Sequence, residues 1–302
     1  MKKLLVILGP TGVGKTNLSI EIAQHLKSPI ISSDSRQIFK GMTIGTDAPT
    51  AEQLEKVTHH FISKLAIDEY FSASQFEDEA IELLSQLYLH HDCIVMSGGS
   101  MLYIDAVTKG IDDVPDIDPT LRKQLTDLYE KEGIDPLRQQ LKLRDPEFYN
   151  QVDLKNPKRV IHALEVCIMT GKPYSSFRSN TVKERPFEII KIGLTRPREE
   201  LYERINTRVD QMIERGLLNE AKSFYPYKHL NSLNTVGYKE LFKYFDGDWT
   251  LEFAIDKIKQ HSRNYARKQL SWFNRDKEIH WINLSDENVD SKKEIIKQLY
   301  LI

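Results

Sequence analysis

The sequence predicts an α/β fold in which a parallel sheet is flanked by helices and interrupted by an all-helical insertion. Three observations predict it. Lys3–Leu8 is an apolar run ending at a glycine, the pattern of a strand covered on both faces. Strand-like runs then alternate with helical periodicity as far as residue 110. From Pro119 to about residue 180 only helical patterns occur, and strand character returns at Phe187–Leu194. The chain therefore divides into a core, residues 1–111 and 188–302, and a helical insertion, residues 112–187.

After the first strand, Leu18, Ile22 and Leu26 recur four apart and predict a helix. Pro29–Ser32 carries a second short strand. Ser72 and Gln75 have the spacing of a capping box, opening a helix that buries Phe76, Ala80, Leu83 and Leu87. Cys93–Met96 is a third buried strand, ending in Ser97-Gly98-Gly99-Ser100. Gly110–Pro119 is acidic, proline-bearing and without periodicity, and reads as a hinge. In the insertion, helices are expected from Pro119 to Gly133 and from Pro157 to Gly171, the second burying Val160, Leu164 and Cys167/Ile168. Helices at Pro197–Arg215, Thr235–Phe245 and Thr250–Asn274, a strand at Ile279–Asn283 and a terminal helix complete the chain.

Composition narrows the function classes. The 302 residues carry 42 Lys and Arg against 44 Asp and Glu, a net charge of −2, with 40% hydrophobic and 28% charged residues. These ordinary globular values exclude collagen, coiled coil and global disorder. They also exclude a whole-protein basic field, so a nucleic-acid partner has to be met by a local basic surface. Two cysteines with no Cys-x-x-Cys exclude a disulfide scaffold and a cysteine-built zinc site, and Cys93 and Cys167 are read as buried structural residues. The nine histidines show no ligand spacing. Lys2-Lys3 precede only five apolar residues, shorter than the roughly 7–15 of a signal-peptide core, and no run approaches the roughly 18 of a membrane span. A soluble, cytoplasmic protein with no membrane partner is expected.

Gly9-Pro10-Thr11-Gly12-Val13-Gly14-Lys15-Thr16 fits the phosphate-loop pattern G-x-x-x-x-G-K-[ST] in full, between a buried strand and an amphipathic helix. Its glycines let consecutive backbone N–H groups turn toward an anion, the helix adds its positive N-terminal end, Lys15 adds a full charge and Thr16 a hydroxyl for Mg²⁺. The loop specifies a polyphosphate; a nucleoside triphosphate and an allylic diphosphate present similar oxygens to it.

Asp34 follows the second strand, where strand ends gather beside the loop, and suits a general base, a Mg²⁺ ligand of a kinase or a turn cap. Ser100 follows Gly98-Gly99, either as a hydrogen-bond donor to a phosphate or in an ordinary turn. Arg204 and Arg208 share a helix face with Arg196 and Arg198 before them; they suit an anionic partner or pair with Glu199, Glu200 and Glu203. Lys259, Arg263 and Arg267 form a stripe in a segment, residues 256–277, that also holds Tyr265, Trp272 and Phe273, a nucleic-acid face whose aromatics are assigned to packing. Lys155, Lys158, Arg159 and Lys172 give the insertion a second basic surface.

Residues 9–16, Ser-Asp-Ser-Arg-Gln-Ile-Phe-Lys-Gly-Met-Thr-Ile-Gly-Thr at 33–46, Gly-Gly-Ser-Met-Leu-Tyr at 98–103, Lys-Arg-Val-Ile-His-Ala-Leu-Glu-Val at 158–166, Val-Gly-Tyr-Lys-Glu at 236–240 and Arg-Lys-Gln-Leu-Ser-Trp-Phe at 267–273 together resemble the signatures of the bacterial tRNA dimethylallyltransferases, in family order. The resemblance implies a P-loop kinase-like core with a helical insertion that clamps the tRNA anticodon stem. It implies transfer of a dimethylallyl group from dimethylallyl diphosphate to N6 of adenosine 37, with Mg²⁺ as cofactor and a monomer as the expected state. By position it gives Asp34 as general base and Asp34, Ser35, Arg36 and Gln37 as the segment holding the target base. Thr11–Thr16 become the diphosphate site, Ser100 stands for the family's usual Thr, and Arg208 binds diphosphate. Arg122, Lys158, Arg159, Val160, Ile161 and His162 in the insertion, and Val236, Gly237, Tyr238 and Lys239 in the core, match tRNA contacts. Phe39 replaces a usual Tyr and Asp47-Ala48 a common Ala-Lys, both expected to lie away from the chemistry.

Three other readings compete: a small-molecule kinase, a non-catalytic RNA-binding NTPase, and prenylation of free adenine nucleotides. The basic stripe and the large insertion, unneeded for a small substrate, favour RNA.

Overall fold

The computed structural model describes residues 1–112, 114, 118–178 and 181–300. Part of the expected hinge, residues 113 and 115–117, lies outside them. In chain order the elements are β1 (Lys3–Leu8), α1 (Lys15–Leu26), β2 (Ile30–Ser32), α2 (Ala51–Lys56), β3 (His59–His60), α3 (Ala73–Leu87), β4 (Cys93–Gly98), α4 (Met101–Lys109), α5 (Pro119–Glu132), α6 (Asp135–Arg144), α7 (Pro146–Gln151), α8 (Pro157–Thr170), β5 (Glu188–Thr195), α9 (Arg198–Glu214), α10 (Leu217–Phe224), α11 (Tyr238–Phe245), α12 (Leu251–Phe273), β6 (His280–Asn283) and α13 (Ser291–Tyr300).

Among the described residues the strands form one parallel sheet, ordered β3-β2-β4-β1-β5-β6. β1 is central, with Leu4 opposite Ile94 and Ile189. Because side chains alternate along a strand, Leu4, Val6 and Leu8 enter one apolar layer while Leu5 and Ile7 enter the other. The first layer holds α3, α4, α10 and α11; the second holds α1 and α13. This double cover is why β1 reads as an unbroken apolar run.

The chain divides into two units, residues 1–108 with 184–302, and residues 109–183. The second unit is helical, with its own core of Leu125, Leu137, Leu141, Phe148, Val160 and Leu164. Asp118 caps α5 by accepting from Thr120 N at 2.8 Å, and Gly171 ends α8 in the left-handed region. Arg122 makes a bidentate ion pair with buried Glu165, at 2.7 and 2.8 Å, joining α5 to α8.

The sequence reading needs local corrections. In α3 the buried apolar set is Phe76, Ala80 and Leu84, four apart, with Glu77 buried beside them and Leu83 and Leu87 half-buried. The helix expected from Thr235 starts at Tyr238, because Gly237 has φ 102° and its N–H is capped by Glu240 Oε2 at 2.8 Å. Cys167 is buried, but Cys93, at the start of β4, is only half-buried. No helix among the described residues is long and apolar enough to cross a membrane.

Candidate active site

The first unit carries a cavity of about 1240 Å³ at the C-terminal ends of β1, β2 and β4, where parallel sheets collect their ligands. Thr11, Gly12, Gly14, Lys15 and Thr16 line it, as do Asp34–Gln37, Gly98–Ser100, Arg204, Arg208, Val236, Gly237, Lys239, Tyr265, Lys268 and Gln269. Most core residues singled out from sequence thus meet in one cavity. Tyr238 does not: it is fully buried, and its hydroxyl donates to Glu220 Oε1 at 2.7 Å. Gly9 and Val13 are buried structural parts of the loop, and Pro10 turns its carbonyl to Lys15.

The loop from Gly9 to Thr16 is braced on several sides. Gly14 is the N-cap of α1 at φ 112°, a conformation that excludes most side chains. Lys15 Nζ donates to the carbonyls of Gly9 at 2.9 Å and Pro10 at 2.8 Å. Burial, and then the neighbouring Arg208 charge, lower the Lys15 pKa to about 7 against an opposing pull from Asp34. Arg196 Nε donates to Val13 O at 2.9 Å and Arg204 Nε to Gly12 O at 3.0 Å, while Arg196 also pairs with Glu200. Both arginines therefore brace the loop, and Arg196 also satisfies an acidic neighbour. Arg208 donates to the Thr11 hydroxyl.

In the same cavity, Asp34 Oδ1 accepts the backbone N–H groups of Arg36 at 2.8 Å and Gln37 at 3.2 Å, a local turn cap. Asp34 Oδ2 takes no donor among the described residues. Ser100 is buried; its Oγ accepts Ser35 N–H at 2.8 Å and donates to Ser35 Oγ at 3.1 Å, tying the Asp34 turn to β4. This approach requires glycine beside it, since a Cβ at Gly98 would lie 2.5 Å from the Ser33 carbonyl oxygen. Arg36 reaches the carbonyls of Asn231 and Ser232 at 3.2 and 3.1 Å. Gln37 Nε2 donates to Thr46 O and Asp47 O, both at 3.2 Å. Tyr265 lines the same cavity, its hydroxyl pushed up to about 12 by burial and the nearby Asp34 charge.

Three further residues take part in the site through contacts that no local pattern predicts. Gln269, 2% exposed, accepts Thr11 N–H at 2.8 Å and donates to Gly99 O at 2.8 Å, clipping the loop to β4. The trace it leaves is a polar residue on the apolar face of α12, between Ala266 and Phe273. The Glu220 carboxylate accepts Thr43 N, Ile44 N and Gly45 N at 2.8–3.1 Å and fixes the loop after Phe39. Asp47, expected to stand apart, ion-pairs with Arg208 at 3.0 Å and Arg215 at 2.9 Å.

The basic stripe of α12 is partly a helix-packing feature. Lys259 pairs with Asp210 at 2.7 Å and Arg263 bonds Asn206, both on α9. Trp272 Nε1 donates to Asp105 at 2.8 Å and Phe273 is buried, as assigned, whereas Tyr265 lines the cavity. In the helical unit Lys155, Lys158, Arg159 and Lys172 are exposed. Val160 and Ile161 are core residues of that unit, Lys158 and Arg159 are exposed and His162 is half-buried. Burial raises the Glu165 carboxyl, but nearby His162, 3.8 Å away, and the bidentate Arg122 outweigh it and hold it below the usual range.

For Mg²⁺ the donor chemistry fits. Thr16 and Asp34, both oxygen ligands, line the cavity. Oxygen donors of this kind are the type Mg²⁺ takes from protein, with waters and phosphate oxygens completing its shell.

The model of the IPP transferase family matches residues 37–276. A tRNA dimethylallyltransferase 1 of Phocaeicola vulgatus is 58% identical over 299 residues, 99% of this chain and 98% of the relative. The tRNA isopentenylpyrophosphate transferase of Bacillus halodurans, a solved structure, is 37% identical with a TM-score of 0.71, covering 98% of this chain and 94% of that one. A eukaryotic dimethylallyltransferase acting on tRNA superposes with a TM-score of 0.82 at 26% identity, over 98% of this chain and 78% of that one. With a cavity built from the same segments that carry the sequence signatures, and relatives alike over nearly their whole length, the chain belongs to the IPP transferase family.

Proposed function

We propose that the protein transfers the dimethylallyl group of dimethylallyl diphosphate to N6 of adenosine 37 in tRNA, releasing diphosphate. The observation that carries this reading is one cavity lined both by cationic and backbone donors, Lys15, Arg208 and the Gly9–Thr16 loop, and by the Asp34 carboxylate, whose Oδ1 alone is engaged by the turn.

An exocyclic adenine amine is a weak nucleophile, because its lone pair is delocalised into the ring. N6 forms its bond to the allylic C1 as the C1–O bond breaks, and the bonding pair leaves with the diphosphate. Asp34 Oδ2 takes the N6 proton, a general-base contribution worth roughly 10²–10⁴-fold. Lys15, Arg208 and loop N–H groups stabilise the charge that grows on the leaving group. Thr16, which lines the cavity, would hold Mg²⁺, and a bound Mg²⁺ would further neutralise that charge. Ser35, Ser100 and Gln37 fix the turn that carries Asp34 and line the space for the base. The target base has to leave the loop stack to reach Asp34, and single-stranded loop bases are the easiest to extrude. Val236, Gly237 and Lys239 at the cavity, and Lys158, Arg159 and His162 of the helical unit, meet the tRNA, with Lys155 and Lys172 adding phosphate contacts. Soluble, cytoplasmic action as a monomer is part of the same proposal.

The test is incubation with dimethylallyl diphosphate, Mg²⁺ and unmodified tRNA whose anticodon is followed by adenosines, then digestion and mass spectrometry of the nucleosides. A prenylated adenosine at position 37 supports the reading. Absence of any with several competent tRNAs, alongside ATP hydrolysis, replaces it with the kinase or switch.

A further inference from the structure

Arg208 has two anionic claims on it, and one comes from the protein itself. Asp47 sits in the left-handed backbone region, φ 52°, which Asp and Asn tolerate better than most residues. Its backbone is fixed: its N–H donates to Ile44 O at 3.0 Å, its carbonyl accepts Gln37 Nε2 at 3.2 Å, and Ala48 N–H donates to Thr43 O at 2.9 Å. From this platform the carboxylate reaches α9. Oδ1 accepts Arg215 Nη2 in a formed hydrogen bond of 2.9 Å. Oδ2 lies 3.0 Å from Arg208 Nε. That second contact is off the N–H direction: Arg208 Nε is buried and has no hydrogen-bond acceptor among the described residues. The carboxylate therefore attracts Arg208 without satisfying it.

We propose that Asp47 is an internal competitor for the anionic end of the substrate, holding Arg208 in the empty site and weakening diphosphate binding. A diphosphate oxygen gives Arg208 the acceptor that Asp47 does not, because a guanidinium fork matches phosphate geometry. Arg215 retains the carboxylate when Arg208 moves to the ligand, so the two arginines act in opposite senses. Arg208 serves the ligand; Arg215 keeps Asp47 from following it. The consequence is a moderated affinity for the diphosphate product, which favours its release. Asp47 is a positioning residue here, and the proposal rests on the reading of the Gly9–Thr16 loop as the diphosphate site.

The test is calorimetric titration of the whole protein with inorganic diphosphate in the presence of Mg²⁺. Asp47→Asn keeps the backbone conformation and removes the charge; it is expected to bind roughly 3–5-fold tighter, the range of a partly exposed ion pair. Arg215→Met leaves Asp47 wholly to Arg208 and is expected to bind more weakly than the parent. The double variant is expected to match Asp47→Asn. A merely structural role weakens both single variants, so unchanged or weaker binding by Asp47→Asn, with its melting temperature retained, overturns the proposal. No binding of diphosphate by the parent protein overturns the loop reading and this inference together, whereas binding by the parent with no gain in Asp47→Asn overturns this inference alone.

Discussion

Gln269 Oε1 accepts the backbone N–H of Thr11 at 2.8 Å from a position that is almost fully buried. The same amide donates to Gly99 O, so α12 joins the phosphate-type loop to the turn that follows β4. Gln269→Leu leaves Thr11 N–H and Gly99 O without partners, at a cost of about 1–3 kcal/mol each where no water reaches them. The expected outcome is a melting temperature lower by several degrees and a higher KM for the diphosphate substrate. A variant that melts with the parent and keeps that KM would show the clip to be dispensable.

Asp34→Asn keeps the hydrogen bonds to Arg36 and Gln37 N–H through the amide oxygen but removes the base. Turnover is expected to fall roughly 10²–10⁴-fold, while tRNA affinity, measured by filter binding, stays within a factor of about three of the parent. Near-parental kcat would remove Asp34 from the base role.

Lys15 links the site to pH. In the folded protein its pKa is about 7, against an ordinary 10.5. The unfolded chain therefore binds more protons between those values, and folding stability rises with pH across that window. Below pH 7 the buried charge is fully present and costs stability. Lys15→Met is expected to melt higher than the parent at pH 6, with the gap closing as pH approaches 10. Diphosphate binding restores the charge on Lys15, so calorimetry at pH 8 in two buffers of different ionisation enthalpy is expected to show proton uptake. Lys15→Arg, charged throughout, should lack that uptake; equal uptake in both proteins would assign the proton elsewhere.

In the helical unit, Arg122 and Lys158 are predicted to behave differently although both matched nucleic-acid contacts. Arg122 is the counter-ion of buried Glu165, and its loss strands that carboxylate. Arg122→Ala is expected to destabilise the unit by on the order of 2–3 kcal/mol, the figure for a broken buried pair reduced for its half-exposed arginine. Glu165 is held below its usual range, so this stabilisation is present above pH 4.5, its ordinary value, and is lost as pH falls through the folded-state value. Lys158→Ala and Arg159→Ala, both exposed at the start of α8, are expected to leave melting unchanged and to reduce the salt dependence of tRNA binding by about one unit of slope each. Matching thermal losses in all three variants would contradict this division.

The sequence by itself determined most of the elements and the residues that meet in the cavity. β1, α1, α3, β4, α5 and α8 are legible because apolar spacing, caps and helix-ending glycines act over a few residues. Gly9–Thr16 is legible because a phosphate-loop pattern has those residue types in a fixed local order, and Asp34 because it follows a strand whose end lies beside that loop. The tertiary structure decided the partnerships. Gln269 reaches Thr11 across 258 positions of chain; Glu220 anchors a loop about 175 residues before it; Asp47 meets Arg208 only because α9 returns beside that loop. The same distances decide what else these groups touch: α9 supplies Asp210 and Asn206 to Lys259 and Arg263, and α5 and α6 close over Val160 and Ile161. Periodicity fixes which face of a helix is apolar. Which polar groups that face meets is set by packing between segments far apart in the chain, and no local pattern encodes it.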